Sequence, residues 1–152
     1  MAYWLFKSEP SSYSWDDLLG DEIAEWDGVR NYKARNFLRD EIQIGDEILF
    51  YHSNSNPSSI VGIAEVVRSG YPDFTAWDKT SNHFDPKSLP DSPVWFMVDI
   101  KPVEKLLCDI SLKDIKNTNE LKDMGLLKYA RLSISPVSKD EYSIIRKMGG
   151  IG

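Results

Sequence analysis

The sequence predicts an α+β protein, a single domain over residues 1–152 built on a curved mixed sheet with peripheral helices. Three observations carry this expectation. Runs of apolar, β-branched and aromatic residues ("YWLFK" 3–7, "DEILFYH" 46–52, "IVGIAEVVR" 60–68, "VWFMVDIKPVEKLL" 94–107) have the length and make-up of strands. These runs crowd the middle of the chain, while Ser-led capping pairs mark helices near both ends. A length of 152 residues supports one substantial core.

"YWLFK" reads as a buried strand closed by the polar turn "SEPSSYS". Ser14, with Asp17 three residues on, caps a short helix through "WDDLL" that Gly20 is expected to stop. "NYKARNFLRDEI" (31–42) places Ala34, Phe37, Leu38 and Ile42 at helical spacing, with Gly45 as terminator. Tyr32, Arg35 and Arg39 fall on the opposite stripe of that helix. The next two strands are joined by "SNSNPSS", too long for a tight hairpin. Simple alternation puts Ile60, Gly62, Ala64 and Val66 on one face of the second, with Gly62 and Ala64 leaving room for a packed ring or a ligand.

Residues 69–93 show little regular pattern, yet Tyr71, Phe74, Trp77 and Phe84 are too apolar to stay solvated, so an ordered flap is expected. Pro102 marks a bulge or an edge in the strand that follows. Ser111 with Asp114 opens a further helix, "TNELKDMGLLKYA" one or two short helical pieces, and "RLSISPVS" a brief strand ending at Pro136. Ser138 and Glu141 form a capping box for a final helix closed by Gly149.

Composition narrows the function. Aromatics reach 12% of the chain, and most of them belong in a core. The single cysteine, Cys108 in "KLLCDI", excludes an internal disulfide and reads as a small buried hydrophobe in a reducing compartment. No signal-like leader and no apolar run near the roughly 20 residues of a membrane span is present, so a soluble, cytoplasmic protein without a membrane partner is expected. A net charge of -6 argues against a broad basic face for non-specific nucleic-acid coating.

No chemistry-bearing motif points to an enzyme. The only histidines, His52 and His83, lie far apart, and there is no metal-ligand spacing, nucleophile elbow or phosphate-binding glycine loop. No cofactor or metal is therefore expected. Against this background "WDGVRNYKARN" (26–36) stands out, with aromatic rings and cations packed into eleven residues. It reads either as a packed helix start with solvated charges or as the lip of a site for a flat, anionic ligand. A base is held by stacking on rings and by hydrogen bonds to its edge, with cations on the adjoining phosphate. Trp26, Asn31, Tyr32, Arg30, Lys33 and Arg35 supply that recipe here. Lys7 and Ser8, then Ser53 and Asn54, stand at the ends of two strands, and the flap adds Asp73 and Trp77.

The segments "YWLFKSEP", "WDGVRNY", "ARN", "FYHSN", "IVGIAEV", "YPD", "FDPKS" and "MVDI", in this order and spacing, resemble EVE-domain proteins over nearly the whole chain. The resemblance implies a PUA-like fold, a small β-barrel or curved mixed sheet with peripheral helices, similar in architecture to YTH domains. It implies a non-enzymatic reader of a modified nucleobase, foremost a modified cytosine, in DNA or RNA. Carried onto this chain it puts the ligand at Lys7, Ser8, Trp26, Asn31, Tyr32, Ser53, Asn54, Trp77 and Asp78, and the phosphate backbone at Arg30 and Arg35. The chain departs from the family pattern at "NPSS" (56–59), Trp77 and His83. Two other classes stay open: an enzyme acting on a modified base, with Glu9, Asp73 and His52 as acid–base groups, and a small-molecule binder using Trp26 for cation–π attraction.

Overall fold

"YWLFK" is buried on both faces, so it needs neighbours on either side, and the chain supplies them from distant segments. The computed structural model describes all of residues 1–152. Its strands are β1 (Tyr3–Ser8), β2 (Ala24–Glu25), β3 (Glu47–His52), β4 (Ser59–Pro72), β5 (Phe96–Ser111) and β6 (Ile134–Val137). They form one open, curved sheet in the order β2-β5-β4-β3-β1-β6. β1 runs parallel to β3 and antiparallel to β6, and every other pair is antiparallel. The sheet is mixed, as expected.

The helices are α1 (Trp15–Asp21), α2 (Tyr32–Asn36), α3 (Leu112–Lys116), α4 (Gly125–Lys128) and α5 (Lys139–Met148). Two apolar layers cover the sheet. Trp4, Phe6, Phe50, Ala64 and Val98 face one layer, which is closed by Trp15 and Leu18 of α1 and by Ala34 and Leu38. Leu5, Leu49, Ile63 and Ile110 face the other, closed by Ile115 of α3, Leu126 of α4 and Tyr142 and Ile145 of α5. The capping pairs behave as the sequence predicts. Ser14 and Asp17, and likewise Ser138 and Glu141, exchange side-chain to backbone hydrogen bonds at the starts of α1 and α5. Ser111 accepts from the Asp114 N–H to start α3.

Several expectations are corrected. Gly20 lies inside α1, whose end is made by Glu22 at φ 66 donating its N–H to the Leu18 carbonyl. The predicted 31–42 helix divides: α2 gives way to a π-helical turn at Phe37–Glu41, which holds Leu38 and Ile42 in the core. In β4 the pairing slips between Ile60 and Gly62, where Val61 is one residue too many for β3. Ile60 is thereby turned to the opposite layer from Gly62, Ala64 and Val66. The space over Gly62 is filled by the Trp15 ring, where an added Cβ would lie 2.6 Å from ring carbons.

The flap 69–93 is ordered by its own polar contacts around a 3-10 turn at Phe74–Trp77, but Phe74 and Phe84 are exposed rather than packed. Asp85 supports the segment by accepting the Trp95 indole N–H at 2.7 Å. Cys108 is exposed rather than buried: the β4–β5 pairing slips between Lys105 and Ile110, alternation is lost there, and Leu107, Cys108 and Asp109 all face outward between the buried Leu106 and Ile110. Pro102 does accompany an irregularity in the β4–β5 pairing. No helix is long and apolar enough to cross a membrane.

Candidate nucleic-acid interface

Parallel pairing of β1 and β3 brings both strand ends to one rim of the sheet, with Ser8 opposite His52. The Ser53 N–H donates to the Ser8 carbonyl at 2.9 Å, and the Asn54 amide donates to Glu9 at 2.6 Å. A cleft of about 700 Å3 opens beside this rim. Its walls are Lys7, Ser8 and Glu9 on one side, Tyr13 and Asp21 at the turn into and the end of α1, and the strap Ile23–Arg30 on the other, with His83 and Ser133 completing it.

Trp26 forms the apolar wall. β2 places it, since the Trp26 N–H continues the ladder by donating to the Val98 carbonyl at 2.8 Å. Its ring packs on Phe6, Phe50 and Tyr13 at centroid distances of 5.5, 5.7 and 6.1 Å, and remains only partly buried towards the cleft. The indole is thus held rigidly by the core while still lining the opening.

The strap after Trp26 is held by one buried carboxylate. Asp73, fully buried, accepts from the Gly28 N–H at 2.8 Å, the Arg30 guanidinium at 3.0 Å and the Thr75 N–H at 2.9 Å. Burial alone would raise the Asp73 carboxyl, but the hydrogen bonds from Thr75, Gly28 and Arg30 outweigh it and hold the carboxyl below the ordinary carboxylate range. Arg30 also donates to the His83 carbonyl at 2.7 Å and lies over the Trp95 ring at 5.3 Å, so it clamps the strap to the flap. Gly28 sits at φ +74 with the His83 ring pressed against it; a Cβ there would fall 2.5 Å from the imidazole Nε2. Both the backbone angle and the close approach require glycine.

The rim is rich in carboxylates: Glu9, Asp21, Glu25 and Asp27 face two cations, Lys7 and Arg30. Burial raises the Asp27 carboxyl above its ordinary value, with His83 at 3.9 Å pulling the other way. Burial lowers the Lys7 ammonium, which donates to the Ala130 carbonyl at 2.7 Å. Burial and the hydrogen bond to Asp21 push the Tyr13 phenol up, so Tyr13 is a neutral donor.

Of the residues singled out in the sequence, Lys7, Ser8, Trp26 and Arg30 line the cleft. Asn31 caps α2 by accepting from the Ala34 N–H at 3.0 Å, and lies on a neighbouring shallow pocket. Tyr32 stacks on Trp95 at 5.0 Å, and Arg35 covers Tyr32 while donating to the Val94 carbonyl. Trp77 and Asp78 lie in the flap away from the cleft; the Trp77 indole N–H is buried without a partner and Asp78 accepts from Thr80. Sequence reasoning missed Tyr13, Asp27, His83 and Ser133. Asp27 was legible as part of the quoted motif, whereas Ser133 carries no local signal. The acid–base candidates do not converge: His52 accepts the Trp15 N–H through Nε2 at 3.0 Å, Asp73 is fully buried, and Glu9 on the rim accepts from the Asn54 amide. No group of three or more His, Cys, Asp or Glu side chains is arranged to hold a metal ion.

The chain is thus an α+β protein with a PUA-like curved sheet that carries an aromatic-walled, carboxylate-rimmed cleft at one end. The EVE domain model matches residues 2–148, and the chain belongs to the EVE-domain family. Thymocyte nuclear protein 1 of Mus musculus is 40% identical over 162 residues, covering 94% of this chain and 71% of the mouse protein. A hypothetical protein of Leishmania major has a similar structure at TM-score 0.94 and 47% identity, covering 99% and 95% of the two chains. Human THYN1 protein, solved in complex with 5-methylcytosine-containing DNA, superposes at TM-score 0.93 with 36% identity and 98% coverage of each chain.

Proposed function

We propose that this chain is a non-enzymatic module that takes a modified cytosine of DNA, 5-methylcytosine foremost, into the Trp26 cleft. The observation that carries the reading is the cleft itself: a rigid indole wall facing a carboxylate-lined rim. A volume of about 700 Å3 accommodates a nucleoside with room for ordered water. The Trp26 face offers stacking, and Ile23, Ala24 and Val29 offer apolar contact to a 5-methyl group. Cytosine presents an exocyclic amino donor, for which Asp and Glu are matched acceptors, and Asp27 and Glu9 stand at the rim. Lys7 and Ser8 line the cleft and offer further polar contacts to a base edge. A base in a duplex reaches such a cleft only by leaving the stack. The complex of human THYN1 protein with 5-methylcytosine-containing DNA, at 36% identity, supports the assignment of ligand. In this reading Asn31, Tyr32, Ser53, Asn54, Trp77, Asp78 and Arg35 act behind the cleft, as braces and caps of the segments that line it.

The test is binding of a labelled single strand carrying one 5-methylcytosine against its unmodified twin, at low and at high salt. The methylated strand is expected to bind more tightly at both, and to be recovered with unchanged mass. Trp26→Ala should weaken binding by about 1–3 kcal/mol through lost stacking. Trp26 also packs on Phe6 and Phe50, so Trp26→Phe serves as the folded control that retains a ring. Equal affinities that vanish together in salt would discard the base-reading cleft.

A further inference from the structure

The cleft is badly suited to phosphate. Four carboxylates (Glu9, Asp21, Glu25, Asp27) line it, and of its two cations Arg30 is paired with Asp73 at 3.0 Å while Lys7 donates to the Ala130 carbonyl. A nucleotide entering this cleft base-first must leave its phosphates outside. The wall of the cleft leads directly to a place for them. Arg30 lines the cleft and the next residue, Asn31, lines a second, shallow pocket of about 370 Å3; Ser133 lines the cleft and its predecessor Leu132 lines the second pocket. The Lys7–Ala130 hydrogen bond spans the boundary from the other side, because Ala130 belongs to the second pocket.

This second pocket has the opposite electrostatic character. It carries Lys33 from α2, Lys128 from the end of α4 and Arg131 from the segment between α4 and β6, and no carboxylate lines it. Lys33 stands over the Tyr129 ring at 4.6 Å, which fixes the ammonium without neutralising it. Lys128 meets Asp123 at 3.4 Å, but both side chains are more than half exposed, so water and salt screen the pair. Arg131 is exposed and makes no hydrogen bond or ion pair within the chain. In a protein of net charge -6, three cations round an aromatic ring, next to a carboxylate-lined cleft, make a local reversal of field.

We propose that the Lys33–Lys128–Arg131 shelf carries the phosphodiester backbone next to the base held in the cleft. The occupant is the same nucleic-acid strand, so the assignment rests on the function proposed above, and charge complementarity together with continuity between the two pockets supports it. Division of labour follows. The acidic cleft excludes phosphate and selects an uncharged base presenting an amino donor, while the shelf holds the strand in place without reading its sequence. Arg30 and Arg35, whose guanidiniums donate to Asp73 and to carbonyls of the flap region, brace the wall between them.

The experiment measures affinity of the full chain for a twelve-nucleotide single strand with one 5-methylcytosine, and for free 5-methyldeoxycytidine, across a salt series. The variants are Lys33→Ala/Lys128→Ala/Arg131→Ala, a charge-matched control Lys113→Ala/Lys116→Ala/Lys122→Ala from the opposite layer, and Trp26→Phe. Three phosphate contacts on a single strand contribute about 2 to the slope of log affinity against log salt. The shelf variant is expected to lose about that slope, which amounts to about a hundredfold at 0.1 M relative to 1 M salt. It should keep nucleoside affinity and the ratio of methylated to unmethylated binding. The control should retain the slope. An unchanged slope in the shelf variant, or equal losses in shelf and control variants, overturns the shelf. A flattened slope in the shelf variant alone, with no methyl preference in any protein, upholds the shelf and rejects the base-reading cleft instead.

Discussion

In the proposed function Asp27 is the acceptor offered to the base's amino group. It sits half-buried on the strap beside Trp26, and burial raises its carboxyl above the ordinary value of 3.8. Accepting a cytosine amino group requires the charged form, so nucleoside affinity should fall as pH drops towards and through this raised value. The stability linkage has the opposite sign. A folded-state pKa above the unfolded one means the native chain holds the proton more tightly, so the Asp27 contribution to stability grows as pH falls across the same window. Asp27→Asn should therefore flatten the acid limb of nucleoside binding in a titration while raising stability at neutral pH relative to the parent. Loss of binding in acid that persists unchanged in Asp27→Asn would move the acceptor role to Glu9. Trp26 and Lys7 were legible because a ring and a cation at strand ends are unusual, but Tyr13 and His83 were not. Their place depends on how α1 and the flap fold back, which no local pattern encodes.

At the scale of elements, capping pairs and apolar runs were the reliable signals, since both act within a few residues. The Ser14, Ser111 and Ser138 caps and the four long strand runs all fall where the side chains demand. Alternation along β4 was misread because one extra residue, Val61, shifts the side chains that precede it to the other layer. That irregularity is coupled to α1: Gly62 leaves the hollow that Trp15 fills, and Trp15 in turn contacts Phe50 at 5.6 Å beneath the Trp26 wall. Gly62→Ala places a methyl group about where Trp15 ring carbons now lie, and overpacking of this kind costs about 1–3 kcal/mol. Urea unfolding should show that loss, and the displaced Trp15 should loosen Trp26 enough to reduce the methyl preference. A variant of parental stability would mean that α1 can shift without consequence for the sheet. The 31–42 helix divides at Phe37. The Ile42 N–H reaches back five residues to the Phe37 carbonyl at 2.9 Å, a π-helical bond that the spacing of apolar residues alone did not reveal.

For the whole molecule, the mixed sheet followed from the sequence only as a class; its strand order did not, because pairing between segments far apart leaves no mark on either one. The most distant of these pairings, β1 with β6, also borders the cleft. β1, the first strand made, lies between β3 and β6, and Lys7 reaches the Ala130 carbonyl 123 positions later. During synthesis the first strand therefore waits, half-covered, until almost all of the chain has followed it. Ser133 and two of the three shelf cations, Lys128 and Arg131, are made late, so base binding is expected to appear only once this segment has folded. Ribosome-stalled chains displaying residues 1–111 should capture no methylated oligonucleotide, whereas chains displaying the full sequence should; capture by the shorter chains would mean the cleft assembles without its final wall. In the proposed reading, a nascent chain is kept from holding a base until its last strand has paired with its first.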